Sequence, residues 1–164
     1  TRILRREHVN YEETKYIFSE LVSTLFFQKE AQKYTLEQLA IELSNKKRME
    51  TEVNKYLTLV SLAGESHCGP CSAYLIEMMQ QNPHSVLAYR IIGALSLIKD
   101  PKSVNPLIEL GREQAPHLLK EVIYAIASIG GEEAQGFLFT LSTGHPNPDV
   151  RQIASTAIAH YSNE

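Results

Sequence analysis

The sequence is poor in cysteine, has no tryptophan and contains no long apolar run: its 164 residues include 2 cysteines. Two cysteines are too few for a disulfide scaffold, and no stretch approaches the ~18 apolar residues of a membrane-spanning helix. The first six residues lack an apolar core, so we expect no signal peptide and favour the cytoplasm. A net charge of −3 with 43% hydrophobic residues argues against a disordered chain. We therefore expect a soluble globular protein.

The net charge differs between the two parts of the chain, but neither part is strongly basic. Residues 1–60 carry a net charge of +1, and the remainder carries −4. Proteins that bind nucleic acid usually present a strong cationic excess on one face. We therefore expect no nucleic-acid partner.

Glycine and proline are absent from the first third of the chain. All 8 glycines and all 7 prolines lie at or after Gly64. These residues form most turns, so residues 1–63 are typical of long helices with short polar connections. After Gly64 the glycines and prolines recur at intervals of roughly one helix length.

Local patterns predict four helices before residue 82. Capping boxes indicate helix starts at Asn10 and Thr35. A third helix is predicted over residues 48–63, where Gly64 would end it as a left-handed C-cap. A fourth helix is predicted over residues 71–81.

An internal repeat follows these helices. Residues 94–108 align with residues 125–139 at a constant offset of 31, and a third copy begins at Pro148 with an offset of 32. In each unit a tight turn joins two helices. At residues 100–101 an Asp-Pro pair suits that turn, because Asp caps a helix and Pro fits its first turn. Repetition at this period is the signature of a solenoid.

The repeat resembles a known family. The short bacterial HEAT repeat, also called PBS-lyase HEAT-like, shares the pattern formed by Ala94, Leu95, Ile98, Asp100, Pro101, Val104, Leu107 and Ile108. Residues 145–157 resemble the opening of the same repeat, and the resemblance extends over about residues 53–161. It implies a right-handed stack of antiparallel helix pairs whose second helices usually line a concave, protein-binding face. No bilin-lyase site is matched residue by residue, so only the scaffold role is carried over.

We therefore predict an all-α fold, an α-α superhelix (HEAT-like solenoid) with an N-terminal helical extension. Residues 1–50 would form the extension, and residues 51–164 would form three to four repeats, the last incomplete. The predicted function is non-catalytic protein–protein interaction, with no cofactor and no metal. The residues predicted to bind the protein partner lie on or near the second helices: Glu77, Gln81, Asn105, Glu109, Arg112, Gln135 and Phe139. The last helix lacks a following partner helix, so we expect its exposed side to be completed by a neighbouring molecule in a homo-oligomer or by deleted sequence, or to be left as a polar cap.

Two other functions remain open. The tetrapeptide from Cys68 to Cys71, Cys-Gly-Pro-Cys, is that of the thioredoxin active site, where a thiolate at a helix N-terminus attacks disulfides. The alternative is that Gly-Pro makes an inter-helix turn, with the cysteines incidental or in a local disulfide. Residues 35–60 also resemble a DNA-binding helix-turn-helix, whose recognition helix would start near Arg48 with Lys46 and Lys47 on phosphates.

Overall fold

The computed structural model of the chain describes residues 34–45, 51–81, 83–113 and 116–161. Residues from Thr35 onward belong to one compact unit. The predicted helix that starts at Asn10 lies outside the described residues, and so does the predicted boundary between residues 50 and 51. That boundary stays a prediction.

The described residues form eight α-helices and no strand, which confirms the predicted all-α fold. The helices are α1 (Leu36–Ser44), α2 (Val53–Glu65), α3 (Ser72–Gln80), α4 (Ser85–Ile98), α5 (Val104–Glu113), α6 (Pro116–Ile129), α7 (Glu132–Gly144) and α8 (Pro148–Tyr161). Single 3-10 turns precede α3 and α5, at Gly69–Cys71 and Pro101–Ser103. Within the described part of the predicted repeats, residues 51–161, helices therefore alternate with short connections.

Polar side chains begin several of these helices, as the sequence patterns predict. At α1 the Thr35 hydroxyl accepts a hydrogen bond from the Gln38 amide at 3.2 Å, and the Gln38 side chain accepts one from the Thr35 amide at 2.9 Å. This reciprocal pair is the predicted capping box. Before α8, the Asn147 side chain accepts a hydrogen bond from the Asp149 amide at 2.9 Å. Both helix starts are fixed by local chemistry.

The helices pack as two layers of a solenoid. The first helices of successive units, α2, α4, α6 and α8, contact one another in chain order. The second helices, α3, α5 and α7, also contact one another in order, and each packs against the first helix of the next unit. The apolar side chains between the layers form a continuous core that includes Leu75, Ile91, Leu95, Leu107, Val122, Ile126 and Leu138. The predicted helical solenoid is confirmed.

Asp100 ties two successive units together. Its carboxylate accepts a hydrogen bond from the Lys102 amide at 3.0 Å, which caps the turn before α5. The other carboxylate oxygen accepts a hydrogen bond from the Ser72 hydroxyl at 2.5 Å, at the start of α3. The Ser72 hydrogen bond is the main reason that the pKa of Asp100 lies below its usual value. The predicted cap therefore also joins two repeats.

Gly64 does not end α2 as the sequence pattern predicts. The helix continues to Glu65, and the residue with positive φ is His67, at 49°. Gly64 is instead buried where α2 crosses α4, and a Cβ atom there would lie 2.9 Å from the Ala94 Cα atom. The prediction of a left-handed C-cap is wrong, because the missing side chain is needed for close helix approach.

Candidate functional site

An exposed polar stripe runs along the second helices α3 and α5. Asn105, Glu109 and Arg112 are exposed on α5 and follow one another at helical spacing, while Leu107 and Leu110 point into the core. Aligning the buried residues of α3 with those of α5 places Glu77 at the position of Glu109. The polar stripe, defined here as Glu77, Asn105, Glu109 and Arg112, thus crosses two neighbouring units.

Charges within the polar stripe are paired locally. The Arg112 guanidinium lies 3.2 Å from the Glu109 carboxylate, and the two side chains are 63% and 62% exposed. The same guanidinium lies 5.9 Å from the centre of the Phe137 ring on α7, within the range of a cation–π contact. Gln81 follows the last residue of α3 and is exposed. These side chains are accessible to a partner without unfolding any element.

Gln135 and Phe139 occupy a different register from the polar stripe. At the offset of 31 they correspond to Val104 and Ile108 of α5, both of which are buried. Phe139, in contrast, is 64% exposed. The structure therefore divides the predicted binding residues into two sets on separate surfaces.

These two residues line a groove of about 450 Å³ at the end of the solenoid. The groove is lined by Lys99, Ala127, Ser128, Ile129, Gly130, Ala134, Gln135, Leu138, Phe139, Ala157 and Ile158. It is referred to below as the end groove. The sequence pattern did not predict this groove, and its local trace is the polar Gln135 at the position that Val104 holds in the aligned repeat.

The two cysteines form a disulfide beneath α1. Cys68 and Cys71 are joined across a Cα–Cα distance of 5.3 Å, and both side chains are fully buried. The Cys68 sulfur lies 3.5 Å from the Leu36 carbonyl oxygen, and α1 packs on the 3-10 turn that contains Cys71. Thiol–disulfide exchange requires access of a thiolate to one sulfur. The geometry favours a disulfide that fastens the turn and gives no support to the redox alternative.

We expect loss of this disulfide to lower the free energy of unfolding by about 2 kcal/mol, the chain-entropy value for a very short loop. The test is guanidinium denaturation of the parent protein and of the double variant Cys68→Ala/Cys71→Ala, each with and without reductant. The variant should not respond to reductant. Equal stability of the parent and the variant without reductant would contradict a structural role, and catalysis of insulin reduction by the parent would revive the redox alternative.

The helix-turn-helix alternative gains no support from the described part of residues 35–60. Lys46, Lys47 and Arg48 lie outside the described residues. The helix that would read DNA, α2, begins at Val53 and packs against α4, with its buried residues between Tyr56 and Gly64. Near its start, Lys55 lies 3.6 Å from the Glu52 carboxylate. A recognition helix instead needs a free, cationic face.

The rings of His67 and His145 make hydrogen bonds to the backbone. The ring of His67 makes a hydrogen bond to the Leu97 carbonyl at 2.8 Å, and that of His145 accepts one from the Asn147 amide at 3.1 Å. No group of three or more His, Cys, Asp or Glu within the described ranges is arranged to hold a metal ion. In the same ranges, no helix is long and apolar enough to cross a membrane.

Comparison with known proteins identifies the repeat. No curated protein and no solved structure gives a significant match to the chain. The family described as HEAT repeats matches residues 72–159, from the start of α3 to near the end of α8. That match covers more than half of the sequence and coincides with the stacked helix pairs. The chain belongs to the HEAT-repeat family.

Proposed function

We propose that this protein is a non-catalytic interaction module that binds a protein partner across the second helices of its solenoid. HEAT repeats generally mediate protein–protein interaction, and the polar stripe is the observation that supports this face. The stripe crosses two units, while the other sides of the same helices are committed to the core. A partner lying across these helices would contact both units at once.

The chemistry of the stripe indicates what such a partner carries. Glu77 and Glu109 contribute negative charge, Asn105 adds a donor and an acceptor, and Arg112 supplies a guanidinium with several donors. A partner with basic residues opposite the two glutamates and a carboxylate near Arg112 would complement this arrangement. Charged groups at an interface mainly set specificity and association rate. This favours a partner of mixed charge over a purely apolar one.

Affinity capture with matched charge reversals tests the proposal. We expect the full chain to retain a partner from an extract of its source cells and Glu109→Lys to retain at least tenfold less, a loss of about 1.4 kcal/mol in binding. The control is Glu65→Lys, which makes the same charge change at the exposed end of α2, in the other layer. If both variants retain the same proteins as the parent, the polar stripe is not the binding face.

A further inference from the structure

The last of the second helices, α7, exposes a surface that the preceding second helix, α5, buries. Val104 and Ile108 on α5 are only 3% and 6% exposed. Val104 lies beside Gly131, Glu132 and Glu133, where the next unit begins α7. The equivalent residues of α7, Gln135 and Phe139, are exposed. The outer side of α7 is thus an inter-repeat surface without a covering helix among the described residues.

The end groove has the shape to receive large side chains. Much of its lining consists of small residues. These are Ala127, Gly130, Ala134 and Ala157, which come from three different helices and a turn. Leu138 and Phe139 add larger apolar surface beside them. A helix with a leucine or phenylalanine stripe would place those side chains over the small residues and bury the Phe139 ring.

The last of the first helices, α8, has polar residues at positions that are apolar and buried on α6. At the offset of 32, Arg151 and Ser155 on α8 take the positions of Leu119 and Ile123 on α6, which are buried. Ser155 is exposed, and the Arg151 guanidinium donates to the His145 carbonyl at 2.6 Å. A further first helix would remove these polar groups from water, which costs free energy. The edge therefore favours one added helix in the second layer over a complete repeat or a second solenoid packed end to end.

Lys99 adds an electrostatic requirement. It is the C-cap residue that follows α4, with φ at 57°, and it is exposed and lines the end groove. No described carboxylate lies within ion-pair distance of its ammonium group. An incoming helix with an acidic residue beside its apolar stripe would pair with Lys99, whereas a basic helix would be repelled.

We propose that the end groove binds a single amphipathic helix of a partner protein, with an apolar stripe over Phe139 and a carboxylate beside Lys99. The helix takes the position of the next second helix in the stack. This surface is separate from the polar stripe and does not depend on the function proposed for it. Loss of binding at one surface would leave binding at the other unchanged.

Two synthetic peptides test this proposal against the full chain. One is an amphipathic helix of about 18 residues, long enough to hold helical structure in water, built from Leu, Ala and Glu. The other replaces each Glu by Lys. We expect the acidic peptide to bind about fivefold more tightly than its basic twin at low salt, measured by fluorescence anisotropy. Amide NMR shifts should map its contacts to the end groove.

Three variants determine whether the groove is responsible. Phe139→Ser should weaken both peptides about tenfold, and Lys99→Glu should reverse the order of the two affinities. Val86→Ser, which changes an exposed apolar residue of α4, should change neither affinity. Absence of peptide binding, or binding that survives Phe139→Ser, would overturn the proposal. So would self-association of the chain that disappears in Phe139→Ser, because the occupant would then be a second copy.

Discussion

Replacement of Tyr56 by alanine should lower the free energy of unfolding by about 3–5 kcal/mol, the usual cost of deleting a buried aromatic ring. Tyr56 is 1% exposed and is among the largest fully buried side chains. Its hydroxyl donates to the Leu43 carbonyl at 2.6 Å and contacts the Met78 sulfur. Through its hydroxyl group, Tyr56 therefore connects α2 to both α1 and α3. Urea denaturation followed by circular dichroism measures the loss.

Two variants separate the ring from its hydroxyl. Tyr56→Phe keeps the ring but leaves the Leu43 carbonyl without this donor, so we expect a loss of about 1–2 kcal/mol. Tyr74→Ala removes a ring that is 37% exposed on α3 and should cost much less than Tyr56→Ala. If Tyr56→Ala and Tyr74→Ala are equally stable, Tyr56 is not the centre of this packing.

Alkaline titration provides a second check on Tyr56. Burial is the main cause that raises the pKa of Tyr56 from 10.0 to about 12. The unfolded chain then loses this proton before the folded chain does, so stability is lost as pH rises from about 10 through 12. Tyr56→Phe lacks this group and should show a smaller loss over the same range.

Local sequence signals predicted the helices and their order well. Thr35 with Gln38 and Asp100 with Pro101 form the predicted helix starts, because the groups that satisfy a helix terminus lie within a few residues of it. The offset of 31 also predicted the stacking, since each unit must bury its apolar side on a neighbour. Short-range hydrogen bonding and a repeated apolar pattern were sufficient for this part of the fold.

The binding surfaces could be predicted less completely. Periodicity groups side chains by helix face, but it does not say whether another helix covers that face. Ile108 and Phe139 hold the same position in their units, yet only Ile108 is buried. The buried disulfide has the same cause: Cys68 and Cys71 are covered by α1, which is distant in sequence. Exposure at such positions depends on tertiary contacts and not on local pattern.

The role of Gly64 also depends on a tertiary contact that local pattern could not predict. Its replacement gives the second large expected effect. We expect Gly64→Val to destabilise the protein by about 3 kcal/mol, at the upper end of the usual overpacking cost. A Cβ atom at residue 64 meets the Ala94 Cα atom at 2.9 Å and its Cβ atom at 3.2 Å. Backbone atoms of a packed helix cannot rotate aside, so α2 and α4 must separate. Thermal and urea unfolding measure the effect.

Gly93→Ala is the matched control for a glycine within a helix. A Cβ atom at Gly93, on α4, meets nothing within 4 Å. There the gain in helix propensity acts alone, and the variant should be about 0.5–1 kcal/mol more stable than the parent. Gly64→Ala makes the same chemical change with the same propensity gain but should be less stable than the parent. Opposite signs for these two variants would show that contact between α2 and α4 determines the effect at residue 64.

The double variant Gly64→Ala/Ala94→Gly identifies which contact limits the approach of the helices. Ala94→Gly removes the Cβ atom that would lie 3.2 Å away but leaves the Cα atom at 2.9 Å. The coupling energy from a double-mutant cycle should therefore recover only a minor part of the Gly64→Ala loss. Full recovery would mean that the Ala94 side chain, and not the α4 backbone, sets the distance between the first helices of adjacent units.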